Sequence, residues 1–241
     1  MSNFIQKPGS RFSGAQDEAP GYRWLSAADE QNPFTIDGYD CLGYVSSLVT
    51  TTSDVSIAES FVAMRESGGL EYVNTFPNQP VQLSLDLVYP LMGEVADGIV
   101  FKAAQMEEKW DVYWYAPYLY FCPSWTGQLV FAIQFEILPA PAERILANNT
   151  PLTFCARSVL IAKDSAKDDE GFIVRQVDYL IKRFLFRRRV PHPLPPDLER
   201  DAETAAAYSF SVYGNMCCFG SFEDTLPHDL LKSRSRQTHL E

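Results

Sequence analysis

The chain has 241 residues, 46% of them hydrophobic and 21% charged, which excludes wholesale disorder and lets one domain bury a sizeable core without disulfide or metal staples. Thirty-one acidic against 20 basic residues leave a formal net charge of -11. That acidity disfavours broad binding to nucleic acid or an anionic membrane, both of which reward clustered cations; it is compatible with a basic protein partner, and solubility alone is its ordinary account.

Residues 1–6 carry neither a basic start nor an apolar run, so no secretory leader is expected. No apolar stretch approaches the roughly 20 residues needed to span a bilayer. Five cysteines (Cys41, Cys122, Cys155, Cys217, Cys218) without regular spacing fit reduced thiols, and a soluble cytoplasmic protein is the expectation.

Residues 1–21 are polar and broken by Pro8, Gly9, Gly14 and Pro20, and read as an arm. The segment 22–44 mixes aromatic residues with Gly, Pro and Asp and receives no firm assignment, whereas 42–52 is rich in β-branched residues and reads as a strand. Ser53 or Asp54 then opens a helix carrying Ile57, Phe61 and Met64 on one face, and Gly68-Gly69 ends it. Strand alternation returns at 81–89, with Val81, Leu83, Leu85 and Leu87 on one side and Pro90 as the stop; 98–101 is a further short strand.

The aromatic stretch 110–138 reads as a three-strand antiparallel meander. Residues 110–115 and 118–122 form two strands joined across Ala116-Pro117, and Pro123-Ser124-Trp125-Thr126-Gly127 supplies turn chemistry before the third. In that third strand Leu129, Phe131, Ile133, Phe135 and Ile137 face a core, while Gln128, Val130, Ala132, Gln134 and Glu136 lie nearer water. Residues 152–162 add another strand, and 172–189 carry a helical pattern that ends before the prolines of 191–196. From 197 a helix gives way to a strand over 208–213, and 227–241 read as a tail with a vector-derived end at Leu240-Glu241. The expected fold is therefore α+β: one domain over 22–226, with a mainly antiparallel sheet and helices packed on one face.

Signatures of known chemistry are missing. His192, His228 and His239 are far apart, and the adjacent Cys217-Cys218 cannot follow zinc-site spacing, so no metal is expected. No Gly-x-Ser-x-Gly elbow, Walker loop or dinucleotide fingerprint occurs, so no catalytic residue or cofactor is assigned. Two features invite binding. One is the basic run Lys182, Arg183, Arg187, Arg188 and Arg189, five cations in the eight positions 182–189 of an acidic chain. Cations at a helix C-terminus also answer its partial negative charge, and that is the ordinary account of such a run. The other is the turn Ser124-Trp125-Thr126-Gly127, with Tyr113, Tyr115, Tyr118 and Tyr120 nearby, where an exposed tryptophan would anchor a partner. A loop tryptophan more often folds back over its own sheet.

The turn, set between an aromatic strand and Leu129, resembles an Arg-Ser-Trp-Thr-Gly signature of small bacterial domains, some of them near ADP-ribosylglycohydrolase-like proteins or polymorphic-toxin loci. The likeness covers roughly thirty residues around 110–138. Pro123 stands where the signature has arginine, so no role of that arginine carries over, and the resemblance implies no reaction. The expected function is a non-enzymatic protein-binding domain of immunity or regulatory type. Two alternatives stand beside it: a hydrolase or transferase whose site assembles from distant segments, and a homo-oligomeric structural protein.

Overall fold

The computed structural model describes residues 22–26, 28–30, 32, 41–44, 52–91, 95–139, 152–166, 169–188, 190–195, 198, 202–214 and 219–221. Six strands build the main sheet: β3 (Val81–Leu91), β4 (Gly98–Phe101), β5 (Trp110–Tyr115), β6 (Tyr118–Pro123), β7 (Phe131–Pro139) and β8 (Leu152–Ile161). Their order is β3-β8-β7-β6-β5-β4, and every pairing is antiparallel. A smaller sheet joins β1 (Tyr22–Leu25), β2 (Cys41–Tyr44), β9 (His192–Pro193) and β10 (Phe219–Ser221), with one parallel pair between β9 and β10. Three helices complete the fold: α1 (Val55–Met64), α2 (Glu170–Leu180) and α3 (Ala202–Tyr213). The α+β arrangement with a mainly antiparallel sheet is thus the architecture of the chain.

Local chemistry fixes the helix starts. Asp54 accepts from the Ser56 amide at 2.9 Å, and Asp169 accepts from the amides of Gly171 and Phe172 at 2.9 and 3.0 Å. The Ser56 hydroxyl, donating at 2.7 Å, and then the Ser56 amide lower the Asp54 pKa, and the two amides lower that of Asp169. α2 continues into a π segment, Ile181–Leu185, whose wider turn no residue spacing announced.

The meander is present as expected, with a cis Ala116–Pro117 peptide bond in its first join. Phe131, Ile133 and Phe135 are buried together with Trp110, Trp114, Phe121 and Phe154 against Val177, Leu180 and Phe184 of the α2 side. Other positions in the third strand depart from simple alternation. Ala132 is fully buried and Val130 nearly so, while Ile137 is exposed. Leu129 precedes the strand and packs with Tyr72, Tyr113 and Tyr120 on the opposite face. The reason is a roof: α1 and the 3-10 turn Leu70–Tyr72 cover that face over β5 and β6, and the register of β7 against β8 shifts between Gln134 and Phe135. The upper face is wet only beyond the roof, where Arg157 meets Glu136 and Asp86.

Three further assignments are corrected. Pro90 does not end its strand, because β3 is a sheet edge and a residue without an N–H is tolerated there. The unassigned 22–44 segment contains β1 and β2, and the strand expected at 42–52 is β2, with 45–51 outside the described residues. Residues 208–213 are helix, not strand: Ala205, Ala206, Ser209 and Tyr213 are buried, a spacing of three and four that only a helix presents to one side. The arm 1–21 and the tail 227–241 lie outside the described residues.

Polar contacts stitch the layers. The Tyr89 hydroxyl donates to Asp178 Oδ1 at 2.7 Å, and Lys182 donates to Asp178 Oδ2 at 2.5 Å, tying α2 to the edge strand. Trp110 Nε1 donates to the Val212 carbonyl at 2.8 Å, and Gln176 donates to the Tyr213 hydroxyl at 3.2 Å. His192 is fully buried where the small sheet meets α2 and α3, its ring 4.5 Å from Tyr213 and 6.0 Å from Tyr179. Its Nδ1 meets the Pro193 carbonyl at 3.0 Å, and Nε2 has no partner among the described residues. Burial lowers its pKa from 6.5 to about 4. Between those values the unfolded chain takes a proton that the folded chain refuses, so stability falls as pH falls through this window. In urea denaturation from about pH 7 to about pH 4.5, the wild type should lose about 2–3 kcal/mol more than His192→Asn; equal slopes would contradict the buried neutral imidazole.

Candidate functional site

A charge in the middle of an aromatic strand needs an explanation, and Asp111 in β5 is fully buried. Its carboxylate accepts three hydrogen bonds and faces a second cation. Arg65 grips it with both terminal nitrogens, Nη1 to Oδ1 at 3.1 Å and Nη2 to Oδ2 at 2.8 Å. Lys102 Nζ lies 3.2 Å from Oδ2, and the Ala103 amide donates to Oδ1 at 2.9 Å. Arg65 comes from the end of α1 and Lys102 follows β4, so the cluster clamps the roof, the sheet edge and β5 together.

The cations are held from several sides as well. Arg65 Nε donates to the Phe61 carbonyl at 3.0 Å, Nη1 also donates to the Ala103 carbonyl, and Nη2 also donates to the Ser124 carbonyl at 3.2 Å. All five guanidinium hydrogens therefore have acceptors. The Lys102 ammonium donates to the Ser67 carbonyl at 3.0 Å and to the Tyr113 hydroxyl, and pairs with Asp111 through charge. The two cationic side chains are 21% and 17% exposed, and the Arg65 guanidinium keeps no donor for a ligand. The cluster is a clamp, and its chemistry is positional.

What it positions is the Ser124–Gly127 turn. Ser124 is buried and its hydroxyl donates to the Glu108 carbonyl at 2.6 Å. Trp125 is half-buried, with Nε1 donating to the Met106 carbonyl at 2.7 Å, so its indole folds back as loop tryptophans commonly do. Thr126 is exposed, and its hydroxyl accepts from the Gln128 amide at 3.3 Å. Gly127 holds φ 64 and its carbonyl accepts from the Tyr72 hydroxyl at 2.7 Å; a Cβ there would lie 2.6 Å from Met64 Sδ. Gly69, at φ 84, lies so close over Tyr113 that a Cβ would meet the ring at 2.3 Å.

Lys109 sits between the rings of Trp125 and Phe210, at 4.6 and 5.0 Å, and donates to the Met106 carbonyl at 3.1 Å. Burial lowers its pKa to about 8, against the neighbouring charge of Glu107. The two ring faces oppose that drop, since they favour the charged form.

Comparison of the chain with known protein families, with curated proteins and with solved structures finds no match.

The residues singled out in the sequence divide into two groups. Ser124, Trp125, Thr126 and Gly127 come together with Tyr113 and Tyr115 on the roofed side of the sheet. Tyr113 is fully buried and Tyr115 half-buried with its hydroxyl donating to the Gly68 carbonyl at 2.8 Å, so these tyrosines support the turn and do not extend an exposed surface. Lys182, Arg183, Arg187 and Arg188 lie at the far end of the α2 segment, with Lys182 buried against Asp178; Arg189 lies outside the described residues. Sequence reasoning missed Arg65, Lys102 and Asp111. The signal for Asp111 was its place between Trp110 and Val112, but nothing in the spacing names its partners.

Burial also pushes the Cys122 thiol well above its ordinary pKa, which leaves it inert. Among the described residues no three His, Cys, Asp or Glu side chains are placed to hold a metal ion, and no helix is long and apolar enough to cross a membrane.

Asp111→Asn should remove about 3–5 kcal/mol, because two cations lose their counter-charge. Hydrogen exchange at the Gly127 amide should rise with it. A loss below about 1 kcal/mol with unchanged exchange would contradict the clamp.

Proposed function

We propose that the chain is a non-enzymatic protein-binding domain of regulatory or immunity type, and that its docking face is the outer side of the roof beside the Trp125 turn. The observation that carries this reading is apolar exposure on a segment held rigidly. Val62 is 66% exposed and Leu70 71% exposed, yet the residues around them are pinned by Arg65, Gly69 and Tyr72. Val55, exposed two helical turns before Val62, continues the same side of α1. Scattered exposed apolar residues are ordinary, but three on one short covering segment beside a fixed turn make a pre-organised patch.

A buried carboxylate gripped by a guanidinium whose five hydrogens are all committed within the protein supports binding over catalysis. The net charge of -11 would draw a basic partner and speed its encounter. Affinity capture from cell extract, followed by cross-linking, should recover a basic protein. Leu70→Asp and Val62→Asp should each weaken that complex by about tenfold or more without moving the unfolding midpoint. Undiminished capture by both variants would overturn the docking face. Recovery of no partner, together with turnover in a hydrolase screen or a concentration-dependent dimer in sedimentation, would overturn the function.

A further inference from the structure

The far end of the α2 segment carries positive charge that the described residues leave unanswered. Lys182 is accounted for by Asp178, but Arg183, Arg187 and Arg188 make no hydrogen bond or ion pair among the described residues through their side chains. Arg188 rests its guanidinium 6.0 Å from the Phe186 ring centre, and Arg187 is exposed. Arg183 is half-buried, and its Nε is buried without any acceptor. A buried N–H left unpaired costs about 1–3 kcal/mol. In a chain with 31 acidic residues, an internal partner would have been easy to provide.

The backbone adds a second oddity at the same place. The Arg188 amide donates to the Lys182 carbonyl at 2.9 Å, the long-reach bond that closes a helix, and Arg187 just before it adopts φ 52. That left-handed position ordinarily takes glycine, and a side chain there costs about 1–2 kcal/mol. The helix dipole explains why cations collect at this end. It explains neither an arginine in the strained position nor a buried donor aimed at nothing.

We propose that Arg183, Arg187 and Arg188 form a binding site for a phosphomonoester group. A phosphate dianion offers three acceptor oxygens, and guanidinium forks match it with paired charge-assisted bonds. Arg183 is half-buried, and Arg187 and Arg188 are exposed four and five positions further on, so the site would take the group through their guanidinium forks. Three cations call for a dianion; a single carboxylate would leave two of them unmatched. The ligand is compact, because a polyanion such as nucleic acid would bring its remaining charges against a protein of net charge -11. This site stands on the α2 end, is independent of the apolar patch beside Trp125, and survives if that reading fails.

The test is a titration of the full chain with inorganic phosphate and with phosphoserine, at fixed ionic strength, reading arginine side-chain signals by NMR. Saturable shifts at the guanidinium signals of Arg183, Arg187 and Arg188 are expected, with sodium chloride at equal ionic strength producing none. Arg187→Gly is the decisive variant, since glycine suits the left-handed position and the protein should fold at least as well. It should bind phosphate about tenfold more weakly, the loss of one charge-assisted contact. Arg183→Lys should weaken it similarly, because an ammonium lacks the planar fork of a guanidinium. A phosphoserine peptide that binds more tightly than phosphoserine would place the group on a protein, and equal affinities would place it on a small ligand; either supports the site. Absence of saturable shifts, identical shifts with chloride, or undiminished binding by Arg187→Gly would overturn it.

Discussion

The fold depends on a single carboxylate taken out of water. Asp111 sits in the strand that the aromatic core and the roof both press upon, and a bare charge there would be intolerable. Three hydrogen bonds, two from Arg65 at the end of α1 and one from the Ala103 backbone, and the Lys102 ammonium make it tolerable. Because the same guanidinium also reaches the Ser124 carbonyl, satisfying the charge and fixing the turn are one event. A buried ion cluster of this kind contributes geometric definition more than net stability, since hydrophobic replacements of similar shape often fold as well.

The consequence is a sheet buried on both sides at its aromatic end. On the α2 side Trp110, Trp114, Phe121 and Phe135 form the apolar core. On the roofed side Tyr72, Tyr113 and Tyr120 supply rings whose hydroxyls find partners at the margin, as in the Tyr72 bond to Gly127. Tyrosine suits this position because it covers area like phenylalanine and still reaches a polar edge. Toward β3 and β8 the roof stops, and the sheet turns to Ser84, Gln134, Glu136 and Arg157.

Much of this was legible because strand alternation and helix caps are local signals. Val81 through Leu87, the pair 110–115 and 118–122, and the Asp54 cap all appear in the structure where the residues place them. The failures have physical causes. Tyr208, Phe210 and Val212 alternate like a strand, but Ala205, Ala206 and Ser209 bury the other spacing and the helix wins. The insertion of β8 between β7 and β3 is a long-range pairing that no local pattern encodes. The clamp was invisible for the same reason: Arg65 and Asp111 are 46 positions apart, and a cation ending a helix reads as an ordinary solvated side chain. The turn was found from its residue types, yet its tryptophan proved half-buried, since burial depends on Met106 and Lys109 from another loop.

The most direct measurement is a double-mutant cycle between Arg65 and Asp111, using Arg65→Met, Asp111→Leu and the pair in urea denaturation. If the carboxylate and guanidinium answer one another inside the protein, each single change should be severe and the double change should recover part of the loss. The expected interaction energy is about 2–3 kcal/mol. Additive losses, with an interaction energy near zero, would show that the two charges are held independently and that the roof is fixed by its apolar contacts alone.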